Sequence, residues 1–380
     1  MRQPLRASNL IFATTFVAIT LTGLIGTGLD IPANAATVTQ KSAAPVSKAP
    51  SGSNPLSGLD IQIADKPVIA DLYPARVTHF KGGAIGLADV VYSSLPGFRP
   101  LTLDLYLPPK AKAALKTPYP VIIYVHGGGW VAGHSRHNAA IDHFPDFLAS
   151  LARRGYVVAS LTYRLDGEAP FPAQENDVRA AIRWLRSHAT DYSLDTTRFG
   201  IWGGSAGGHL IGLTAVGCGV SFDPPATEKP SMAIGPQESD CVQAAVGWYG
   251  VYNFLSLDAQ RTTNLPAGAP HDPKANAAVT KLLNCDPAAC QEAMAKASPI
   301  SYVDKSDPPM LLIAGAEDQT VPYQQSIEMH DRLLAAGVPS QVIILPGVDH
   351  SFIGKTPEAT RTATLKALEA TIAFFDKQLK

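Results

Sequence analysis

Charge is scarce in this chain. Asp, Glu, Lys and Arg make up 17% of its 380 residues, and the formal net charge is −1. With no basic excess, nucleic acid is not an expected partner. Cysteine is scarce too: there are four, and none of their spacings resembles a zinc site. No internal repeat is visible, so a repeat architecture is not expected.

Long apolar runs are also missing, with one exception at the amino terminus. Arg2 and Arg6 precede a stretch from Leu10 to Leu29 that is free of charged residues, and Ala33-Asn34-Ala35 has the small-residue pattern of a cleavage site. The run approaches membrane-spanning length. Its glycines (Gly23, Gly26, Gly28) and the Ala-x-Ala pattern instead predict a signal peptide over residues 1–35. No cysteine follows the run, which argues against a lipoprotein. A secreted or periplasmic product is expected, with no stable membrane anchor after cleavage. In that oxidising setting four cysteines suggest two bridges. Three pairings are possible, and Cys218–Cys241 with Cys285–Cys290 is favoured because each closes a local loop.

Residues 36–58 are rich in Ala, Pro, Ser, Thr and Lys and read as a flexible linker, leaving residues 59–380 for one folded domain. From Ala84 to Leu107 two strands flank a turn at Ser93-Ser94-Leu95-Pro96-Gly97. Leu101, Leu103, Leu105 and Leu107 alternate with Thr102, Asp104 and Tyr106, the period of a half-buried strand. Antiparallel edge strands are the expectation here. Val121-Ile-Ile-Tyr-Val125 is continuously apolar, as a central parallel strand would be. Strands and helical periodicities then alternate to a closing helix marked by Leu365, Leu368, Ile372 and Phe375, interrupted by an irregular stretch at about 254–300. The pattern predicts an α/β class, one doubly wound and mostly parallel sheet with antiparallel strands at its N-terminal edge.

Four segments at predicted strand ends carry groups suited to acyl transfer. Ser205 lies in Gly203-Gly204-Ser205-Ala206-Gly207, a G-x-S-x-G turn between strand and helix that exposes its hydroxyl. His126-Gly127-Gly128-Gly129-Trp130 follows the strand ending at Val125. Glycines there let backbone amides approach an oxyanion, so Gly128, Gly129 and Ala206 are the candidate oxyanion hole. Asp318 and His350 follow the last two predicted strands, giving the chain order Ser205, Asp318, His350. Serine needs a base, and the base needs a carboxylate to hold its tautomer. Glu317 and Asp349 are rival acids. His126 reads as a brace for the glycine loop and His209 as a packing residue. His134, His137 and His143 lack matched carboxylates and read as loop histidines rather than metal ligands. Trp130, Tyr163 and Tyr249 are the candidate substrate-binding aromatics, and Trp248 reads as core.

The run from Leu103 to the C-terminus resembles the α/β-hydrolase superfamily, nearest the esterase/lipase branch that includes hormone-sensitive-lipase-like enzymes. His126 to Trp130, Tyr163-Arg164-Leu165, Phe171-Pro172-Ala173 with Asp177, and Gly203 to His209 are similar to segments of bacterial acetyl esterases. They are closest to those acting on acetylated or feruloylated plant polysaccharide. The resemblance implies a serine carboxylesterase for short acyl or aryl esters, working through an acyl-enzyme without metal or organic cofactor. Two positions depart from the pattern. Gly204 stands where hormone-sensitive-lipase relatives usually carry an acid, and Asn253 where related esterases often have aspartate. A peptidase or amidase could use the same three residues, but residues 36–100 are too few for the propeller of prolyl-oligopeptidase relatives. A binding protein on a hydrolase scaffold is the third reading, although such relatives usually lose a triad member.

Overall fold

Strands and helices alternate along the chain as its apolar periodicities require, and the computed structural model describes residues 57–59, 62–63, 76–95, 98–109, 118–222, 238–264 and 276–380. The expected leader and all of the expected linker except residues 57–58 lie outside the described residues, as do Pro96 and Gly97 of the expected turn. The strands are β1 (Gln62–Ile63), β2 (Val77–His79), β3 (Ile85–Ser93), β4 (Leu101–Leu107), β5 (Tyr119–Val125), β6 (Ile141–Asp142), β7 (Val157–Leu161), β8 (Leu194–Gly204), β9 (Ala244–Trp248), β10 (Met310–Gly315) and β11 (Ser340–Leu345). The helices are α1 (Phe144–Arg153), α2 (Ala173–Ser187), α3 (Ala189–Tyr192), α4 (Ala206–Val216), α5 (Phe254–Asn264), α6 (Ala277–Leu283), α7 (Gln291–Ala297), α8 (Gln324–Ala335) and α9 (Pro357–Leu379).

Nine strands form the main sheet in the order β11-β10-β9-β8-β5-β7-β4-β3-β2. The six from β11 to β7 run parallel, and β4, β3 and β2 continue antiparallel to one edge. This is the α/β-hydrolase fold. β1 pairs with β6 in a separate two-stranded ribbon. The chain moves from β5 outward to β7, then crosses back to place β8 on the other side of β5. That reversal makes the carboxyl ends of β5 and β8 the topological switch point, where open α/β sheets form their sites.

β5 shows why the sheet is covered on both faces. Val121, Ile123 and Val125 pack into one layer with Val178 and Ile182 of α2 and Leu210 of α4. Ile122 and Tyr124 face the opposite layer, with Phe147 of α1 and Leu368 and Phe375 of α9. Each such aliphatic side chain contributes about 1.5–3 kcal/mol on burial. α9 begins where the sequence allows it: the Thr356 hydroxyl accepts the Ala359 N–H at 3.1 Å and Pro357 occupies the first turn.

β4 departs from expectation. It is an interior strand between β3 and β7, buried on both faces, with Asp104 3% and Tyr106 1% exposed. Tyr106 packs in the layer that holds α1. Asp104 is tolerated because Arg136 pairs with it at 2.7 Å.

The irregular stretch contains α5, α6 and α7, and residues 265–275 within it are outside the described residues. Both disulfides take the favoured pairing, Cys218–Cys241 and Cys285–Cys290. Among the described residues no helix is long and apolar enough to cross a membrane.

Candidate active site

Ser205 stands between β8 and α4 with φ 57° and ψ −121°, a left-handed conformation that a serine holds only under constraint. The constraint is visible in its neighbours. Its N–H donates to the Trp248 carbonyl at 2.9 Å, and its own carbonyl accepts the His209 N–H at 2.9 Å to start the helix. A Cβ at Gly207 would overlap the Val125 carbonyl oxygen, so glycine there lets the turn close against β5.

The loops after β10 and β11 bring two more groups to the hydroxyl. His350 Nε2 lies 2.9 Å from Ser205 Oγ, and His350 Nδ1 lies 2.8 Å from Asp318 Oδ2. Asp318 is fully buried, and its other oxygen accepts the Thr320 and Val321 N–H groups at 2.9 and 2.7 Å. That oxygen is occupied by backbone, so the imidazole faces the remaining one. The rival acids lie elsewhere. Asp349 accepts from the backbone N–H of His350 and Gln319, while Glu317 is half exposed toward Lys355. Hydroxyl, imidazole and carboxylate in series give a proton a path off Oγ.

The glycine loop follows β5 into the same space. Gly128 has φ 118°, and a Cβ there would overlap the Ala132 carbonyl. Gly129, at φ 60°, continues the turn. His126 braces it from behind: its Nδ1–H donates to the Gly127 carbonyl at 2.8 Å and its ring stacks on Tyr163 at 4.2 Å. Burial pushes the His126 imidazole down to about 4, so it is neutral near pH 7 and unsuited to act as a proton-accepting base there. Ala206 is the first residue of α4, so its N–H is among those that no carbonyl of its own helix can accept.

A cavity of about 400 Å³ opens over Ser205 and His350, a size suited to a small-molecule substrate. Gly128, Gly129 and Tyr249 line it. Two other candidate aromatics do not. Trp130 is 4% exposed and donates its indole N–H to His209 Nδ1 at 3.2 Å. Tyr163 is 1% exposed and donates its hydroxyl to the His126 carbonyl at 3.0 Å. Both support the loop from beneath, so their assignment as substrate contacts is corrected. His209 packs as expected: its Nε2–H donates to the Ala297 carbonyl at 2.7 Å, and burial lowers it to about 4. Asn253 turns away from the cavity and donates to Glu328 at 2.6 Å.

Sequence reasoning misses Tyr124, His137, Asn138, Thr320 and Ser351, which also line the cavity. Tyr124 donates to the His137 carbonyl at 3.3 Å and accepts from the Asn138 amide at 3.2 Å. The available signal is Tyr124 itself, a polar aromatic one residue from the end of β5, directly after the aliphatic run Val121-Ile122-Ile123. His134 accepts the Arg136 N–H, and His143 stands exposed beside Asp142, so the three loop histidines do not converge.

Known proteins resemble this chain in sequence and in fold. Esterase LipQ of Mycobacterium tuberculosis is 30% identical over 70% of this chain and 57% of its own length. Ethyl acetate hydrolase of Pseudomonas putida is 27% identical over 67% of this chain and 71% of its own. The chain thus spans little more than half the length of the first of these relatives. Among solved structures, a truncated carbohydrate esterase from gut microbiota is 30% identical, with a TM-score of 0.60 over 77% of this chain and 95% of that one. The BD-FAE family profile matches residues 103–333, a span that holds Ser205, Asp318 and the glycine loop and exceeds half the chain. On that match, the chain belongs to the BD-FAE family.

Proposed function

We propose that the protein is a secreted or periplasmic serine carboxylesterase that hydrolyses short acyl, foremost acetyl, or feruloyl-type aryl esters carried on carbohydrate. The observation that carries this reading is the series Ser205 Oγ, His350 Nε2 and Nδ1, Asp318 Oδ2 at 2.9 and 2.8 Å beside the glycine loop. The names of its relatives support it: ethyl acetate hydrolase for the short acyl group, carbohydrate esterase for the alcohol. The two disulfides and the leader-like residues 1–35 support export. A cleaved leader, a linker to residue 58 and a catalytic domain from residue 59 are part of the same proposal.

The chemistry follows from the geometry. His350 Nε2 takes the Ser205 proton as Oγ bonds to the ester carbon. The carbonyl oxygen becomes an oxyanion facing the N–H groups of Gly128, Gly129 and Ala206. The ester C–O bond breaks, and His350 passes its proton to the departing alkoxide. Water then enters, gives a proton to His350 and attacks the acyl carbon, and the acid leaves as Ser205 regains its proton. Asp318 keeps its hydrogen bond to Nδ1 and balances the imidazolium. Tyr124 and Asn138 bound part of the space left for the acyl group.

The test is hydrolysis of p-nitrophenyl acetate, butyrate and octanoate, with Ser205→Ala as the blank. The expected result is turnover fastest on acetate and absent in Ser205→Ala. A folded protein no faster than the variant on any ester would overturn the proposal.

A further inference from the structure

His350 is followed by two non-glycine residues in the left-handed region, Ser351 at φ 60° and Phe352 at φ 59°. Tyr249, at the end of β9, has φ 38°. With Ser205 and Trp130, five of the nine such residues among those described gather around one site. Conformations of this kind persist where surrounding contacts over-determine them, and here Tyr249 supplies the contacts.

Its backbone is pinned, with its N–H donating to the Ile313 carbonyl at 2.7 Å while the preceding carbonyl holds the Ser205 N–H. Its ring meets the His350 imidazole edge-on, with centroids 4.8 Å apart and an interplanar angle of 62°. The same ring packs on Phe352, with centroids 4.7 Å apart. Tyr249 therefore touches both His350 and Phe352, the second of the two strained residues after it.

The room for this ring comes from Gly204. A Cβ at position 204 would lie 2.9 Å from Tyr249 Cε2 and 3.1 Å from its Cζ and Oη. These are rigid ring atoms in a buried side chain, 4% exposed, with Trp248 and Phe352 behind it. The ring occupies the volume that a side chain before the nucleophile would fill.

We propose that Tyr249 is a positioning residue. Seated over Gly204, it fixes the plane of the His350 imidazole so that Nε2 meets Ser205 while Nδ1 stays on Asp318, and the bare Gly204 backbone is the condition for that seat. This rests on the hydrolase reading above. Residues in contact through one imidazole make coupled contributions, so substitutions at 204 and 249 are not independent.

The experiment measures kcat and KM on p-nitrophenyl acetate for Tyr249→Phe, Tyr249→Leu, Gly204→Ala and the double variant Gly204→Ala/Tyr249→Leu. Tyr249→Leu is expected to lower kcat by at least about 10-fold with KM changed less than about 3-fold, the pattern of an interaction realised at the reacting centre. Tyr249→Phe keeps the ring and is expected to retain at least about a third of kcat. Gly204→Ala is expected to lower kcat by at least about 5-fold alone and by less than about 2-fold when added to Tyr249→Leu. A raised KM with unchanged kcat in Tyr249→Leu would make the ring a substrate wall and overturn the proposal. Equal losses at position 204 in both backgrounds would overturn it too. If Tyr249→Leu fails to fold, Gly204→Ala with a wild-type melting temperature decides, and unchanged kcat there overturns the proposal. An inactive wild type would defeat the hydrolase reading itself, whereas an active wild type with an active Tyr249→Leu defeats only this one.

Discussion

The ion pair inside β4 gives a prediction whose size can be worked from the structure. Asp104 and Arg136 side chains are 4% and 7% exposed, and the guanidinium meets both carboxylate oxygens at 2.7 and 2.9 Å. Ser135 Oγ and the Asp89 N–H satisfy the remaining acceptor sites at 2.9 Å each. Removing one partner of a buried pair costs about 3–5 kcal/mol, because the other charge is left without compensation. Arg136 would retain Asp89, whose side chain is 56% exposed, so Asp104→Leu should fall at the low end, about 3 kcal/mol. Arg136→Met leaves Asp104 without a cation and should fall nearer the upper end of that range, about 5 kcal/mol. Replacing both removes the charges together, and the double variant should lose roughly 1 kcal/mol instead of the sum. Against a total stability of about 5–15 kcal/mol the single losses are large. Urea unfolding at neutral pH would measure them. Ser135 and Arg136 belong to the segment that presents His137 and Asn138 to the cavity, so the single variants should also raise KM for p-nitrophenyl acetate. Single losses that add in the double variant to within about 0.5 kcal/mol would refute this reasoning.

Two further outcomes follow from the same structure. Burial pushes His126 and His209 from 6.5 to about 4, so as pH falls the unfolded chain takes up protons first. The stability held by the neutral rings is whole above pH 6.5 and is lost as pH falls toward 4, by roughly 3 kcal/mol per ring. Unfolding free energies across that window should show the loss and His209→Gln should reduce it, whereas a flat profile would count against buried neutral rings. Gly128→Ala places a Cβ on the Ala132 carbonyl in a loop held at φ 118°. It should cut kcat by about 100-fold or more with a smaller change in KM, and kcat within about 2-fold of wild type would remove the loop from the oxyanion site.

Much of the site is legible in the sequence because its demands are steric and local. Gly207 and Gly128 sit where any side chain would meet a backbone oxygen, and the chain order Ser205, Asp318, His350 follows the strand order. Asp318 over Asp349 is harder to read, since the choice depends on which carboxylate the backbone of Thr320 and Val321 already holds. Trp130 and Tyr163 are read toward the substrate because composition places aromatics near a loop without saying which way they turn. The hydrogen bonds to His209 and His126 decide that, and both partners come from distant or self-folded segments. Asp104 shows the same limit. Alternation along β4 suggests a solvent-facing aspartate, but Arg136, 32 residues later, makes its burial possible. The lining at Tyr124 and Asn138 depends on a loop path that no periodicity encodes.

The central claim is that Ser205 is a nucleophile activated by His350. The most direct measurement is the intact mass of the protein after exposure to a small fluorophosphonate, followed by mapping of the labelled peptide. The account predicts one adduct per chain, on Ser205, with labelling slowed by orders of magnitude in His350→Ala. Absence of an adduct, an adduct on another residue, or equal labelling of the variant would contradict it.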